Sequence, residues 1–460
     1  MLRVVATMSN LKLYVATFTV CLAQFNAGMF LAWPPPMILQ PQADDSSFKI
    51  TVDQFPWAAS LLKLGTAFGC LLSMFIVDLV GRKISILFTY VPTFLCWLLV
   101  AWKPSASNLC LARFMAGASS GIIFTSGTMY VTEISRPQIR GILCGCFILM
   151  DYCGNLTGYA VASFGTMHVF PYVAMSLATV QFTMFIWFPE SPYYLLQRKR
   201  FEAAMDSLIF LRNSPDVSEE MDSIVRSVEC DPRNNGVLSS VLHLISQSGG
   251  KSLILFGLCI MTVQAFSSSI VLIGYAQTIF EKTDVQMQGS QMSIVLAMLH
   301  LTSYLVCISL VDSLGRRSLM IVSTVGVAYC SFLLGVYFCM EENTVYMTNL
   351  QLLPFVVILF YAVSVSLGLT YVPFVIVNEI FPMYSRATCV SFCFCINFTW
   401  SFIILCIWSA VTFQHNMYIV FWFISSLNAF SILLLVFYLP ETKRKSFLQI
   451  QNSIIGKIIK

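Results

Sequence analysis

A run of 18 or more apolar residues reads as a helix long enough to cross a lipid layer about 30 Å thick, and this chain carries twelve such runs. They fall at roughly 12–33, 57–77, 84–102, 108–131, 142–163, 168–188, 252–276, 290–311, 318–340, 351–377, 387–410 and 417–439, and are numbered here as spans one to twelve. The runs are continuous, without the ten-residue alternation of a membrane barrel, so helices are expected. Composition agrees. Only 10% of the 460 residues are charged and 57% are apolar, whereas ordinary soluble domains carry roughly 25% charge. The expected class is an all-α membrane protein of twelve transmembrane helices.

One long polar passage, residues 189–251, divides the chain into six spans and six. The expected organisation is an N-terminal six-helix bundle (1–188), a linker (189–251), a C-terminal six-helix bundle (252–439) and a tail (440–460). Twenty-one of the 26 Lys and Arg residues lie in the N-terminal lead, the linker, the tail and the loops on the same side; only Lys49, Lys103 and Lys282 lie in loops on the other. The positive-inside rule then puts both termini and the linker in the cytoplasm. Within the linker, Phe201, Met205 and Leu208 recur at helical spacing, as do Val217, Met221, Ile224 and Val228. Asp216 and Glu219 offer a capping box, so short amphipathic helices are expected beneath the bundle.

Several classes of function find no support. Fifteen of the 16 cysteines sit inside apolar spans, where they read as small hydrophobes rather than disulfide partners, and no zinc-site spacing occurs. There is no phosphate-binding glycine loop of Walker type and no legible nucleophile triad, so neither ATP-driven pumping nor an enzyme is expected, and no cofactor. Residues 12–33 are too long and poorly flanked for a cleaved signal peptide. The basic tail suits an anionic inner leaflet better than nucleic acid. Sequons at Asn155 and Asn397 lie inside spans, where glycosylation is not expected. Gly141 and Gly145 read as close helix packing.

The two halves echo each other. Asp78-x-x-Gly81-Arg82 follows span two and Asp312-x-x-Gly315-Arg316 follows span eight. Glu133 and Arg140 lie seven apart after span four, as Glu379 and Arg386 do after span ten. Pro189-Glu190-Ser191 ends span six and Pro440-Glu441-Thr442 ends span twelve. Partly buried charges must be paired to be tolerated. The set is therefore expected to form an ion-pair latch at the inner ends of the helices, made in one packing of the halves and broken in another.

At these residues the chain resembles the sugar porter family of the major facilitator superfamily. The runs Pro189 to Leu196 and Glu379 to Arg386 look most like the insect facilitated trehalose and glucose transporters. The resemblance implies two six-helix bundles that rock about a central site near mid-membrane, as in carriers built from structural repeats. It implies passive uniport of a monosaccharide or trehalose across, most naturally, the plasma membrane, by a monomer. Proton-coupled relatives carry an Asp in span one where this chain has Asn26, and an amide cannot exchange a proton as a carboxylate does.

By the same resemblance, the substrate set is Gln264, Asn397, the aromatic Phe374, Ser268 and Asn26. The chain departs from the family pattern at Ile148, Ala265 and Ile270, each standing where an amide is usual. A substrate-binding sensor without turnover, or a carrier of a less polar small solute, are the alternatives that these losses raise. Four ionisable residues lie at depth: Lys63, Arg113, Asp151 and His300, and such residues point to function. Arg113 matches the family and reads as structural; Lys63 and Asp151 do not match it. Spans five and eight should face each other, which would let Asp151 and His300 approach and couple protonation to motion.

Overall fold

The computed structural model describes residues 11–32, 55–102, 105–136, 139–164, 169–229, 242–246, 249–267, 289–342, 352–412, 417–441 and 454. Among these residues all regular structure is helical. Ten helices are long and apolar enough to cross a membrane, and two shorter apolar helices, Phe170–Phe185 and Gly250–Phe266, occupy spans six and seven. Each of the twelve expected spans thus coincides with a helix. Residues 268–276 of span seven, including Ser268 and Ile270, lie outside the described residues.

Local chemistry sets the helix ends and breaks. Span four starts at Ala106 because Ser105, in extended conformation, accepts the backbone N–H of Asn108, an N-cap that satisfies an orphan donor. Span three is interrupted after Phe88 and resumes at Tyr90. Pro92 lacks an N–H and crowds the carbonyl four residues back, that of Phe88, which accounts for the break. Span ten is expected as one rod over 351–377, but it consists of Leu353–Ser364, a π-helical turn Val365–Leu369 and a further helix Val372–Ile380. Pro373 removes the donor that would bond to Leu369. The wide turn is held by Thr370 N–H to Val365 O at 3.2 Å and by Ser323, whose hydroxyl accepts the Leu369 N–H at 3.1 Å.

Packing within the first half depends on missing side chains. In spans two and four, Gly65, Gly69, Gly117 and Gly121 meet at spacings of four. A Cβ on any of them would collide with backbone carbonyls of the facing helix, those of Phe114, Ala118, Leu62 and Thr66 respectively. Lipid supplies no hydrophobic drive between helices, so this backbone approach is the source of cohesion. Spans one and five use the same device, where Gly28 faces the Asp151 carbonyl and Gly154 the Phe25 carbonyl. Arg113 ties three spans together by donating to the carbonyls of Phe30 (2.5 Å), Ala58 (2.9 Å) and Ala59 (3.3 Å).

The halves meet along two seams, span five against span eight and span two against span eleven. Phe124 of span four sits edge-on to Phe374 and Phe394, with ring centroids at 4.9 and 5.2 Å. Tyr304 donates to the Gly145 carbonyl at 3.0 Å and Tyr371 to that of Gly141 at 3.2 Å. Both glycines lend backbone acceptors, but only Gly145 is closely packed: a Cβ there would press on Ile308 of span eight at 3.3 Å, whereas one on Gly141 would meet nothing within 4 Å.

Helices Pro192–Gln197, Phe201–Arg212 and Ser218–Glu229, with a helical turn at 242–246, form the described linker. Val217, Met221 and Ile224 are buried as their spacing requires, together with Leu195, Ala204 and Leu208. Phe201, expected on the same face, is instead exposed, because Ala204, Ser207, Leu208 and Leu211 form the inner stripe. The helix after Asp216 begins at Ser218, and the Ser218 hydroxyl bonds to Asp216 at 3.1 Å. Arg212 anchors the linker to the first half, donating to the Ile134 carbonyl at 2.9 Å and to Glu220 at 2.6 Å.

Replacing Gly117 by Val should force spans two and four apart. Overpacking of this kind costs about 1–3 kcal/mol, read as a lower unfolding midpoint in detergent, whereas Gly141→Ala should leave the midpoint unchanged.

Candidate functional site

A cavity of about 140 Å³ lies between the halves. Its walls follow helical stripes: Gln24, Ala27 and Leu31 from span one, Ile148, Asp151, Tyr152 and Asn155 from span five, and Lys63 and Thr66 from span two. Spacings of three and four put each set on one face of its helix. The second half contributes Gln264 and Ala265, His300, Thr370 and Phe374, and Asn397, Phe398 and Ser401. Thr370 directly follows the π-helical turn, a distortion that recurs at functional sites.

Three of the sequence-expected substrate residues, Gln264, Asn397 and Phe374, do meet here. Asn397 donates to the Gln264 side-chain oxygen at 2.5 Å and to the Met261 carbonyl at 2.8 Å, which commits the Asn397 NH2 group and ties the two amides together. Phe374 stands on the wall as an aromatic surface beside Phe124 and Phe398. Asn26 does not reach this cavity. It accepts from the Trp97 indole at 2.9 Å and donates to the Ala174 carbonyl at 2.9 Å, which commits both ends of its amide inside the first half. Ile148 and Ala265 line the cavity where the family pattern expects amides.

Polar groups from the first half replace them. The Gln24 amide donates to Asp151 at 2.9 Å. Gln24 Oε1, Asn155 Oδ1 and His300 Nε2 are buried and have no hydrogen-bond partner among the described residues. Asp151 and His300 share the cavity but each has its own partner: Asp151 has Gln24 and the nearby charge of Lys63, and His300 has the Ser366 hydroxyl at 2.7 Å. Sequence reasoning weighed Asn155 only as a sequon and passed over Gln24. The i, i+3, i+4, i+7 stripe through Ile148, Asp151, Tyr152 and Asn155 was the available signal.

The charged motifs gather at the end of the bundle that carries the linker. Arg82 reaches Glu133 at 2.9 Å and Asp78 at 3.9 Å; Arg316 reaches Glu379 at 3.4 Å. Glu190 accepts the backbone N–H groups of Arg82 (3.2 Å) and Lys83 (3.0 Å), while Glu441 accepts those of Arg316 (3.0 Å) and Arg317 (3.1 Å). Each glutamate caps the helix that starts a neighbouring span, where unsatisfied N–H groups attract a carboxylate. Gly81 and Gly315, at φ +98° and +88°, make room: a Cβ there would strike the glutamate. Burial pushes the Glu190 carboxyl above its usual range, opposed by the N–H groups of Ser191 and Lys83 and by Arg82.

These described ion pairs join helices within one half. Across the halves, Tyr304 and Tyr371 bond to backbone carbonyls at this end, Arg386 lies within electrostatic reach of Glu133 and Arg140, and Ala387 packs with Val77 and Met129. Arg386 bonds to the Phe381 carbonyl at 3.3 Å, and Arg140 Nε has no partner among the described residues. The Asp312 side chain lies outside what is described.

Two similar halves of six helices, a polar cavity between them and twin charged networks at one end define an integral, multi-pass membrane protein of the major facilitator fold. A sequence profile of the sugar (and other) transporter family matches residues 14–453, and the chain belongs to that family. It is similar to the facilitated trehalose transporter Tret1 of Drosophila erecta, 24% identical over 446 residues that cover 96% of this chain and 52% of the relative. It is also similar to that of Polypedilum vanderplanki, 25% identical over 458 residues, covering 96% and 88%. The chain spans about half the length of the Drosophila relatives. Among solved structures, it shares the fold of the proton:xylose symporter XylE bound to 6-bromo-6-deoxy-D-glucose, with TM-score 0.75, 18% identity and coverage of 97% and 99%. The inward open XylE of E. coli gives 0.69, at 18% identity and coverage of 95% and 98%.

Removing either capping carboxylate, as Glu190→Ala or Glu441→Ala, should lower stability by about 2 kcal/mol, the scale of a hydrogen bond to a charged group. The two variants should show matching drops in unfolding midpoint in detergent, and Glu202→Ala, on an exposed linker face, should show none.

Proposed function

We propose that the chain is a facilitative carrier of a monosaccharide, working by alternating access about the central cavity. The observation that carries this reading is the trio of unpartnered polar atoms, Gln24 Oε1, Asn155 Oδ1 and His300 Nε2, buried on the walls of one cavity. Each unpaired atom costs about 1–3 kcal/mol, and a polyhydroxylated solute offers all three of them hydroxyls that can donate or accept. Phe374 and Phe398 supply flat apolar faces for the ring's own apolar surface. Size favours one ring over two: a cavity of about 150 Å³ in another protein holds a benzene molecule, and this one is about 140 Å³.

In this reading residues 1–188 and 252–439 are the two bodies that rock, with 189–251 as the connector and both termini cytoplasmic in the plasma membrane. The protein works as a monomer. The charged networks brace each half at its cytoplasmic end, and the Tyr304 and Tyr371 contacts are among those that separate when the inner side opens. Names of the matched relatives favour a sugar; the amide at Asn26, already committed to Trp97, favours uniport over proton coupling.

Purified protein in liposomes should take up labelled glucose saturably, with trehalose a poor competitor. Asn155→Ala should weaken apparent affinity about tenfold, the equivalent of one lost hydrogen bond. Sugar-dependent thermal stabilisation without flux would identify a sensor instead, and trehalose competing as well as glucose would overturn the single-ring reading.

A further inference from the structure

The charge at the cavity does not balance. Lys63 and Asp151 both line it, and Asp151 is the one carboxylate among the described lining residues. Its Oδ1 is already held by the Gln24 amide. Arg113 lies within electrostatic reach of Lys63 and brings a second positive charge, its own bonds being to neutral backbone carbonyls. Among the described residues two cations thus share one anion at depth, where an uncompensated charge is costly. The Lys63 ammonium has the Phe398 ring face 5.4 Å away and no hydrogen-bond acceptor among the described residues. It carries three donors, and no described residue accepts from them.

We propose that Lys63 makes this site selective for a single-ring solute bearing one carboxylate, a sugar acid of the hexuronate class. The proposal rests on the carrier reading and adds the solute's charge. The carboxylate meets Lys63 beside Phe398 and balances the second cation. The hydroxyls of the same ring meet Gln24 Oε1, Asn155 Oδ1 and His300 Nε2, which a purely apolar anion would leave unpaired. A neutral sugar meets the same three atoms and leaves the ammonium unmatched.

The test uses the full chain in liposomes, with labelled glucose uptake competed by D-glucuronate or by its uncharged counterpart, D-glucuronamide. Glucuronate should compete at about one-tenth the concentration the amide needs or less, the range of a charge-assisted hydrogen bond. That ratio should collapse towards one in Lys63→Met and persist in Lys63→Arg. Labelled glucuronate should itself enter, and an inside-negative potential should slow its net uptake and not that of glucose, because each turnover moves one negative charge. If the amide competes as well as glucuronate while glucose uptake is saturable, the charge proposal fails and the carrier reading stands. If the wild-type ratio survives in Lys63→Met, Lys63 is not the selecting group and the proposal fails. If Lys63→Met does not fold, the wild-type ratio and Lys63→Arg decide. Should neither glucose nor glucuronate be taken up, the carrier reading falls and this proposal with it.

Discussion

Two carboxylates bear much of the organisation of this protein. Glu190 and Glu441 each reach from the end of a six-span half to the first N–H groups of a helix elsewhere in that half. A helix start has four such groups and no internal acceptor for them, and in a lipid-facing bundle water is a scarce substitute. The cap also fixes what stands beside it. Glycine is required at residues 81 and 315, both for the positive φ and for the space that the carboxylate occupies. Arg82 and Arg316, at the starts of the capped helices, are thereby aimed at Glu133 and Glu379. One interaction, used twice, makes each half a braced unit.

The same economy of backbone contact builds the interior. Glycines bring spans two and four together, and spans one and five, to the distance at which carbonyls touch Cα atoms. That closeness leaves the remaining polar side chains of spans one, two and five directed at the space between the halves. The cavity is therefore polar on the side of the first half, through Gln24, Lys63, Asp151 and Asn155. On the side of the second half Phe374 and Phe398 are aromatic, Gln264 and Asn397 bond each other, and His300 offers one unpartnered nitrogen among the described residues.

Span positions and the doubled motifs were readable from the chain because each rests on a local pattern. A continuous apolar run or an Asp-x-x-Gly-Arg spacing needs no knowledge of neighbours. Glu190 was legible as part of the repeat, although its role as a helix cap was not, since the capped helix begins more than 100 residues away. Phe201 was misplaced because one turn of helical periodicity fits two faces, and Ala204 with Leu208 won the inner one. The cavity lining was least legible. Gln264 and Asn397 are polar in the right spans, but which amide atoms remain free depends on partners from other helices. Asp151 and His300 illustrate the same limit: both reach the cavity, and Gln24 and Ser366 claim them separately.

The unequal walls carry a consequence for release. A ring seated between them would be gripped through its hydroxyls by Gln24 and Asn155 on one wall, and on the other would meet aromatic faces and one imidazole nitrogen, that of His300. Parting the walls breaks the stacking contacts and the single bond to His300, and keeps the bonds to Gln24 and Asn155. The solute then stays with the first half whichever mouth opens, and leaves only when water reaches Gln24 and Asn155 to replace it. Dissociation would be timed by the wetting of one surface rather than by the opening itself.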